Sequence, residues 1–263
     1  MKNIKLLNPG EIRPLIRKGK WEKPTAGLAM GYAQANLVIL PQKYVFDFLL
    51  FCQRNPKPCP LLEVLERGKF RTDFLSKDAD VRTDIPRYNI YRKGNLDRTV
   101  REIRSLWKED FVTFLLGCSF SFEEALLRSK IPIRHIEENK NVPMFITNIP
   151  CKPAGVFHGP MVVTMRPIPP DKVTPAVQIT ARYASVHGAP IHIGDPSKIG
   201  IKNMSKPDFG DPVTIKKEEV PVFWACGVTP QAVVMRAKPE LCITHTPGHM
   251  FISDVLNEEL AAY

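Results

Sequence analysis

The apolar positions of the chain fall in short blocks, and three of these blocks share one plan. FVTFLLGCSFSFEEALL (residues 111–127), VPVFWACGVTPQAVV (220–234) and LCITHTPGHMFISDVL (241–256) each run from an apolar stretch through a tight polar turn into a second apolar segment at helical spacing. Each predicts a buried β-strand feeding a helix. In an open α/β sheet such turns gather at the carboxyl ends of the strands, where ligands bind. The apolar run ending at Pro41 predicts one more strand. Residues 42–54 predict a helix, with Tyr44, Phe48 and Phe51 on one stripe beside Val45, Leu49 and Cys52, and the proline cluster NPKPCP stops it. Residues 60–67 predict a short helical turn. Residues 97–108 predict a helix that buries Val100, Ile103, Leu106 and Trp107.

Between 131 and 217 the pattern changes. VPMFITNI, PMVVTMRPI, AVQITARYA and APIHIGD alternate with Pro and Gly, which predicts a mainly antiparallel sheet and no helix of ten residues. The strand-and-helix pattern returns at Val220. The expected fold is therefore α/β: a three-layer sheet-and-helix main domain (1–130 plus 218–263) with an inserted smaller β-rich α+β domain (131–217). The cleft between them is the expected ligand site.

Composition narrows the functional classes. The chain has 263 residues, 44% hydrophobic and 24% charged, the balance of an ordinary globular protein. No apolar run reaches the roughly 18 residues of a membrane helix, and the N-terminus lacks the apolar core of a signal peptide. A cytoplasmic protein without a membrane partner is expected. Lys plus Arg is 37 against 27 Asp plus Glu, a net charge of +10. These cations are scattered rather than striped, so the charge suits a small anionic substrate better than nucleic acid. The six cysteines form no CxxC, which fits reduced thiols. No GxGxxG or P-loop string occurs, and no cofactor is expected. The composition suits a monomer or a homodimer.

The turns supply the candidate chemistry. Ser121 and Glu124 fit a capping box after the turn Gly117-Cys118-Ser119. Thr229-Pro230 and Thr246-Pro247 place a hydroxyl at an N-cap and a proline at the first helical position. Backbone amides and dipoles at three converging helix starts would hold a carboxylate, with Cys118, Ser119, Ser121, Gly227, Thr229, Thr246 and Gly248 lining the site. Arg166 lies in an apolar strand, where its guanidinium needs a carboxylate partner, either a substrate or Asp195 or Asp208. His245 and His249 flank the third turn and could exchange protons, with Asp254 to orient them. Cys118 and Cys226 sit beside glycines at strand ends, where a thiol could act as a nucleophile. His187, His192 and Asp195 could instead ligate a metal in a hydrolase or lyase. A carboxylate-binding protein without catalysis is the remaining alternative.

The chain resembles the D-glutamate cyclase family along nearly its whole length. The strings that carry the resemblance are QANLVILP (34–41), FCQRNPKPCPLLE (51–63), DIPRY (84–88), FLLGCSFSFE (114–123), VPMFITNI (142–149), MRPI (165–168), HGAPIHIGDP (187–196), PDFGD (207–211), PVFWACGVTPQ (221–231) and THTPGHMFISD (244–254). The resemblance implies a two-domain α/β protein and a hydro-lyase activity. In the family's eukaryotic members that activity is dehydration of D-glutamate to 5-oxo-D-proline. On that reading His245 or His249 would carry the amine proton to the leaving hydroxyl, Arg166 would hold the α-carboxylate, and the turn donors would polarise the side-chain carboxyl.

Overall fold

A computed structural model describes residues 4–77 and 79–261. Its strands are β1 (Tyr32–Pro41), β2 (Leu61–Leu65), β3 (Tyr88–Arg92), β4 (Asn95–Val100), β5 (Phe111–Gly117), β6 (Met144–Pro150), β7 (Pro160–Ile168), β8 (His192–Ile193), β9 (Val220–Ala225), β10 (Cys242–His245) and β11 (Phe251–Leu256). Its helices are α1 (Pro9–Arg17), α2 (Val45–Arg54), α3 (Glu123–Arg128), α4 (Arg134–Glu137), α5 (Pro170–Ala181) and α6 (Thr229–Ala237). A seven-stranded sheet has the order β2-β5-β1-β10-β3-β4, with β11 also paired to β1, and a second sheet has the order β6-β7-β9-β8. The α/β class holds. Both sheets are antiparallel throughout, so the parallel-sheet rule behind the expected site does not apply. Among the described residues no helix is long and apolar enough to cross a membrane.

Strand β1 organises the large sheet. Leu37 and Ile39 enter one core cluster and Val38 and Leu40 another, so its apolar run reflects burial on both faces. The inner cluster brings Phe48 and Phe51 of α2 against Phe114 and Phe157. Strands β5 and β10 both run antiparallel to β1, hence in the same direction. Their carboxyl ends therefore lie side by side, with Gly117 opposite Ala35 and Thr244 opposite Val38.

Several local expectations are corrected. Of the segment expected to be a helix over 97–108, the first four residues belong to strand β4, turned back on β3 by Lys93 and Gly94, both at left-handed φ, and the rest holds only one 3-10 turn at Arg104–Leu106. Its apolar residues reach the outer core one by one rather than as a stripe. Residues 61–65 pair with β5 instead of coiling. The third unit turns through Gly248 (φ +84) into a strand, because Phe251 and Val255 enter the outer core while Ile252 packs on α1. Helix α5, 12 residues long, lies where no long helix was expected. Pro170 sits in its first turn, where no amide partner is needed, and Pro175 hid the rest. Strand β9, expected in the main domain, pairs with β7 in the second sheet.

Candidate active site

The three turns do converge. Cys118 and Phe120 from the first, Cys226 and Val228 from the second, and Met250 after the third pack in one apolar cluster with Val142, Met144 and Val162. Asn36 on β1 joins the first two, since its Nδ2 donates to Gly117 O at 2.6 Å and its side chain fills the space a Cβ on Gly227 would take. Gln231 Nε2 on α6 donates to His245 O at 2.8 Å.

The donors expected to face a ligand are engaged inside the protein. Helix α3 begins at Glu123 without a side-chain cap, so the expected capping box is not formed. Ser121 Oγ instead accepts the Gln34 amide at 3.0 Å. Thr229 does not cap α6. Its hydroxyl donates to Cys226 O at 2.7 Å and accepts from the Val162 amide at 3.0 Å. Thr246 donates to Asn89 Oδ1 at 2.8 Å. The Cys118 and Cys226 thiols accept the amides of Phe120 and Val228. Burial pushes both thiols up, Cys226 to about 12, which removes the thiolate needed for nucleophilic attack.

Neither histidine is hydrogen-bonded to Asp254. At Asn36–Leu37, β1 changes partner from β11 to β10, which leaves the Leu37 amide without a strand partner. His245 Nδ1 accepts that amide at 3.1 Å. His245 is registered with Tyr88 of the outer core, so it points away from Asn36 and the second sheet. His249 Nδ1 lies 3.1 Å from Pro247 O. Asp254, its side chain 48% exposed, holds Arg13 through both oxygens rather than either histidine.

His187, His192 and Asp195 are likewise not brought together as a ligand set. His187 Nδ1 faces Lys57 O at 2.8 Å, His192 Nε2 faces Asp195 O at 2.7 Å, and the Asp195 carboxylate caps Ser197. Among the described residues no group of three His, Cys, Asp or Glu side chains is arranged to hold a metal.

Arg166 does find a carboxylate, and it belongs to the protein. The guanidinium is fully buried on β7, between the rings of Phe122 and Trp224 at 5.3 and 5.4 Å. Its Nε and Nη2 both donate to Glu123 Oε1, Nη2 also to Ser119 Oγ at 3.1 Å, and Nη1 to Thr164 Oγ1 at 3.1 Å. Neither Asp195 nor Asp208 is its partner. His135 Nε2, on α4, lies 3.1 Å from the same Glu123 oxygen, out of line for a full hydrogen bond. The His135 ring stacks on Phe120 of the first turn. Burial alone would push the Glu123 carboxyl up. The electrostatic influence of His135, with the charge and hydrogen bonds of Arg166, outweighs that and holds it below the ordinary carboxylate value. Glu123 is thus an ionised carboxylate set between a fixed cation and an imidazole.

His135 also forms a wall of a cavity of about 460 Å³ that includes Trp21, Lys23, Lys140, Asn141 and Asp211, a size typical of small-molecule sites. Trp21 Nε1 and Asn141 Oδ1 are buried there without partners. The third turn supports this wall, because Pro247 O accepts from Asn141 Nδ2 at 3.1 Å and Gly248 lies against the Asn141 side chain. A larger hollow of about 620 Å³ at Arg67–Arg71 touches none of the three turns. We place the site at the smaller cavity because it adjoins the buried ionic network through His135. Glu123, His135 and Asn141 were not singled out by the sequence. Glu123 reads as an ordinary first-turn helix acid, and His135 lies in the mixed segment IPIRHIEENK (131–140), which carries no motif.

The buried histidines give a stability prediction. Burial lowers the pKa of both His187 and His245 from 6.5 to about 4. The unfolded chain binds more protons between those values, so stability is full above pH 6.5 and lost as pH falls toward 4. Each contributes about 3 kcal/mol over that window. The urea midpoint should therefore drop between pH 6.5 and 4.5, and His187→Asn should flatten the drop. A midpoint that stays level across that range would contradict the burial.

The fold is thus an α/β protein with two antiparallel sheets and a buried carboxylate–imidazole–guanidinium network that adjoins a small cavity. The chain belongs to the D-glutamate cyclase family, whose family model matches residues 112–254. It is 63% identical to a protein of Thermoanaerobacter pseudethanolicus over 98% of each chain. It is 60% identical to one of Stutzerimonas stutzeri over 97% of this chain and 96% of that one, and 61% identical to one of Geobacillus kaustophilus over 95% of each. All three carry the name "Putative hydro-lyase". The matched segment contains Glu123, His135, Asn141, Arg166 and Asp211; Trp21 and Lys23 lie before it.

Proposed function

We propose that the protein is a carbon–oxygen lyase that cyclises D-glutamate to 5-oxo-D-proline with loss of water. The observation that carries this reading is the ionised Glu123 held against His135 at the wall of the cavity. In the reaction the amine nitrogen attacks the side-chain carboxyl carbon. A C–N bond forms, and a hydroxyl leaves as water with the proton that the amine gives up. One group that takes the amine proton and returns it to the hydroxyl serves both steps, and we assign that role to His135. Glu123 orients its ring and stabilises the imidazolium, as the carboxylate of a catalytic triad does. Arg166 keeps Glu123 ionised.

The cavity offers complementary contacts for such a substrate. The Lys23 and Lys140 ammonium groups and Trp21 Nε1 suit carboxylates, and Asn141 Oδ1 and Asp211 suit the amine. Lys140 is itself anchored to Glu138 at 2.8 Å. His245, His249 and Asp254 then act as supports of the sheet and the third turn rather than as the acid–base pair.

Purified protein incubated with D-glutamate should release 5-oxo-D-proline, read by chiral chromatography, with L-glutamate turned over far more slowly. Absence of turnover on D-glutamate and on other small dicarboxylates, with binding retained, would replace this reading with that of a carboxylate-binding protein.

A further inference from the structure

Glu123 also lines a second and much smaller enclosure, which His135 does not line. Its walls include Gly27, Ala29 and Gly31 of the loop before β1, together with Gln34, Glu123 and Asn257, and its volume is about 10 Å³. That is close to the ~10–15 Å³ needed by a single water. Three of these residues carry a buried oxygen without a partner: Gln34 Oε1, Glu123 Oε2 and Asn257 Oδ1. All three side chains are at least nine-tenths buried.

The orientation of two of them is fixed by other bonds. Gln34 Nε2 donates to Thr25 O at 3.0 Å and Leu28 O at 3.2 Å, so Oε1 is the end left over. Glu123 Oε1 takes Arg166 and His135, so Oε2 is its free oxygen. The Asn257 carboxamide has no such anchor and can present either end. Two acceptors and one amide able to donate match the two donors and one of the two acceptor lone pairs of a water molecule. A metal cation is the poorer match, because both carboxylates of the lining already have cationic partners, Glu123 in Arg166 and Glu124 in Arg128.

We propose that this enclosure binds one water that donates to Glu123 Oε2 and Gln34 Oε1 and accepts from Asn257, fixing the other Glu123 oxygen on His135 and Arg166. Gln34 and Asn257 are then positioning residues of the site. Their role in turnover rests on the reading of His135 given above; the occupancy of the enclosure does not.

High-resolution crystallography of the whole protein, wild type and Asn257→Leu, tests the inference. The wild type should show one solvent peak at hydrogen-bond distance, about 2.5–3.0 Å, from Glu123 Oε2 and Gln34 Oε1. Asn257→Leu should lose the peak and swing the Glu123 carboxylate away from His135. With D-glutamate, kcat of this variant should fall about 10- to 100-fold at little-changed KM, and Asn257→Ser should recover part of the loss. Gln34→Met provides a second removal of the water should Asn257→Leu not fold. A dry enclosure, a peak ringed by oxygens at cation distances, or an unmoved Glu123 in the variant would overturn the proposal. If D-glutamate is not turned over at all, the density still decides the question.

Discussion

Replacing Arg166 with methionine is expected to cost about 3–5 kcal/mol of stability, because it leaves the Glu123 carboxylate buried without its counterion. The guanidinium is wholly buried, donates to Glu123, Ser119 and Thr164, and lies between two aromatic rings. Methionine fills much of the volume but satisfies none of those acceptors. For a chain of this length the melting temperature should fall by on the order of 10 °C. The double replacement Arg166→Met with Glu123→Leu removes both charges, and most of the lost stability should return. Differential scanning calorimetry of the two single variants and the double variant reads this directly. If Arg166→Met alone melted within two or three degrees of the parent (a shift under about 1 kcal/mol), the network would not be the ionic anchor described. The double variant should be stable and without turnover, which separates the network's part in folding from its part in the reaction.

His135→Gln is expected to lower kcat for D-glutamate by about 10²- to 10⁴-fold, the range for loss of a positioned acid–base group. Glutamine roughly fits the imidazole's space against Phe120 and keeps a polar amide beside Glu123, so the fold should survive. It cannot shuttle a proton at neutral pH. KM should change only a few-fold, because the carboxylate contacts assigned to Lys23, Lys140 and Trp21 stay in place. His245→Gln provides the contrast: it removes the acceptor of the Leu37 amide and should lower stability more than turnover per folded molecule. Full activity in His135→Gln, or its loss in His245→Gln at unchanged stability, would return the acid–base role to the strand end.

These expectations depend on placements that local sequence signals reveal unevenly. The strand–turn–helix plan was legible at 111–127 and 220–234 because both carry a continuous apolar run and then Gly with Cys, Ser or Thr. It was illegible at 241–256. There Phe251, Ile252 and Val255 fit helical spacing as well as two-sided burial on a strand, and the neighbouring β1 decided between them. The need of Arg166 for a carboxylate could be read from its apolar surroundings. Glu123, 43 residues away in the chain, could not, because a pairing between a strand and the start of a distant helix leaves no trace in local spacing.

The sequence by itself determined the family, through long matching strings, and the mixed α/β class with strands β1, β5, β6, β7, β9 and β10. The class and strands follow from apolar periodicity and turn chemistry, which act over a few residues. Only the tertiary structure decided what the turns surround. Packing β5 and β10 in the same direction beside β1, and laying the second sheet over Asn36, filled the expected anion hole with Cys118, Cys226 and Met250. The same packing drove one arginine, one glutamate and one histidine from separate segments into a common buried contact. Burying charge is tolerable only when partners meet, and which partners meet is fixed by the path of the whole chain.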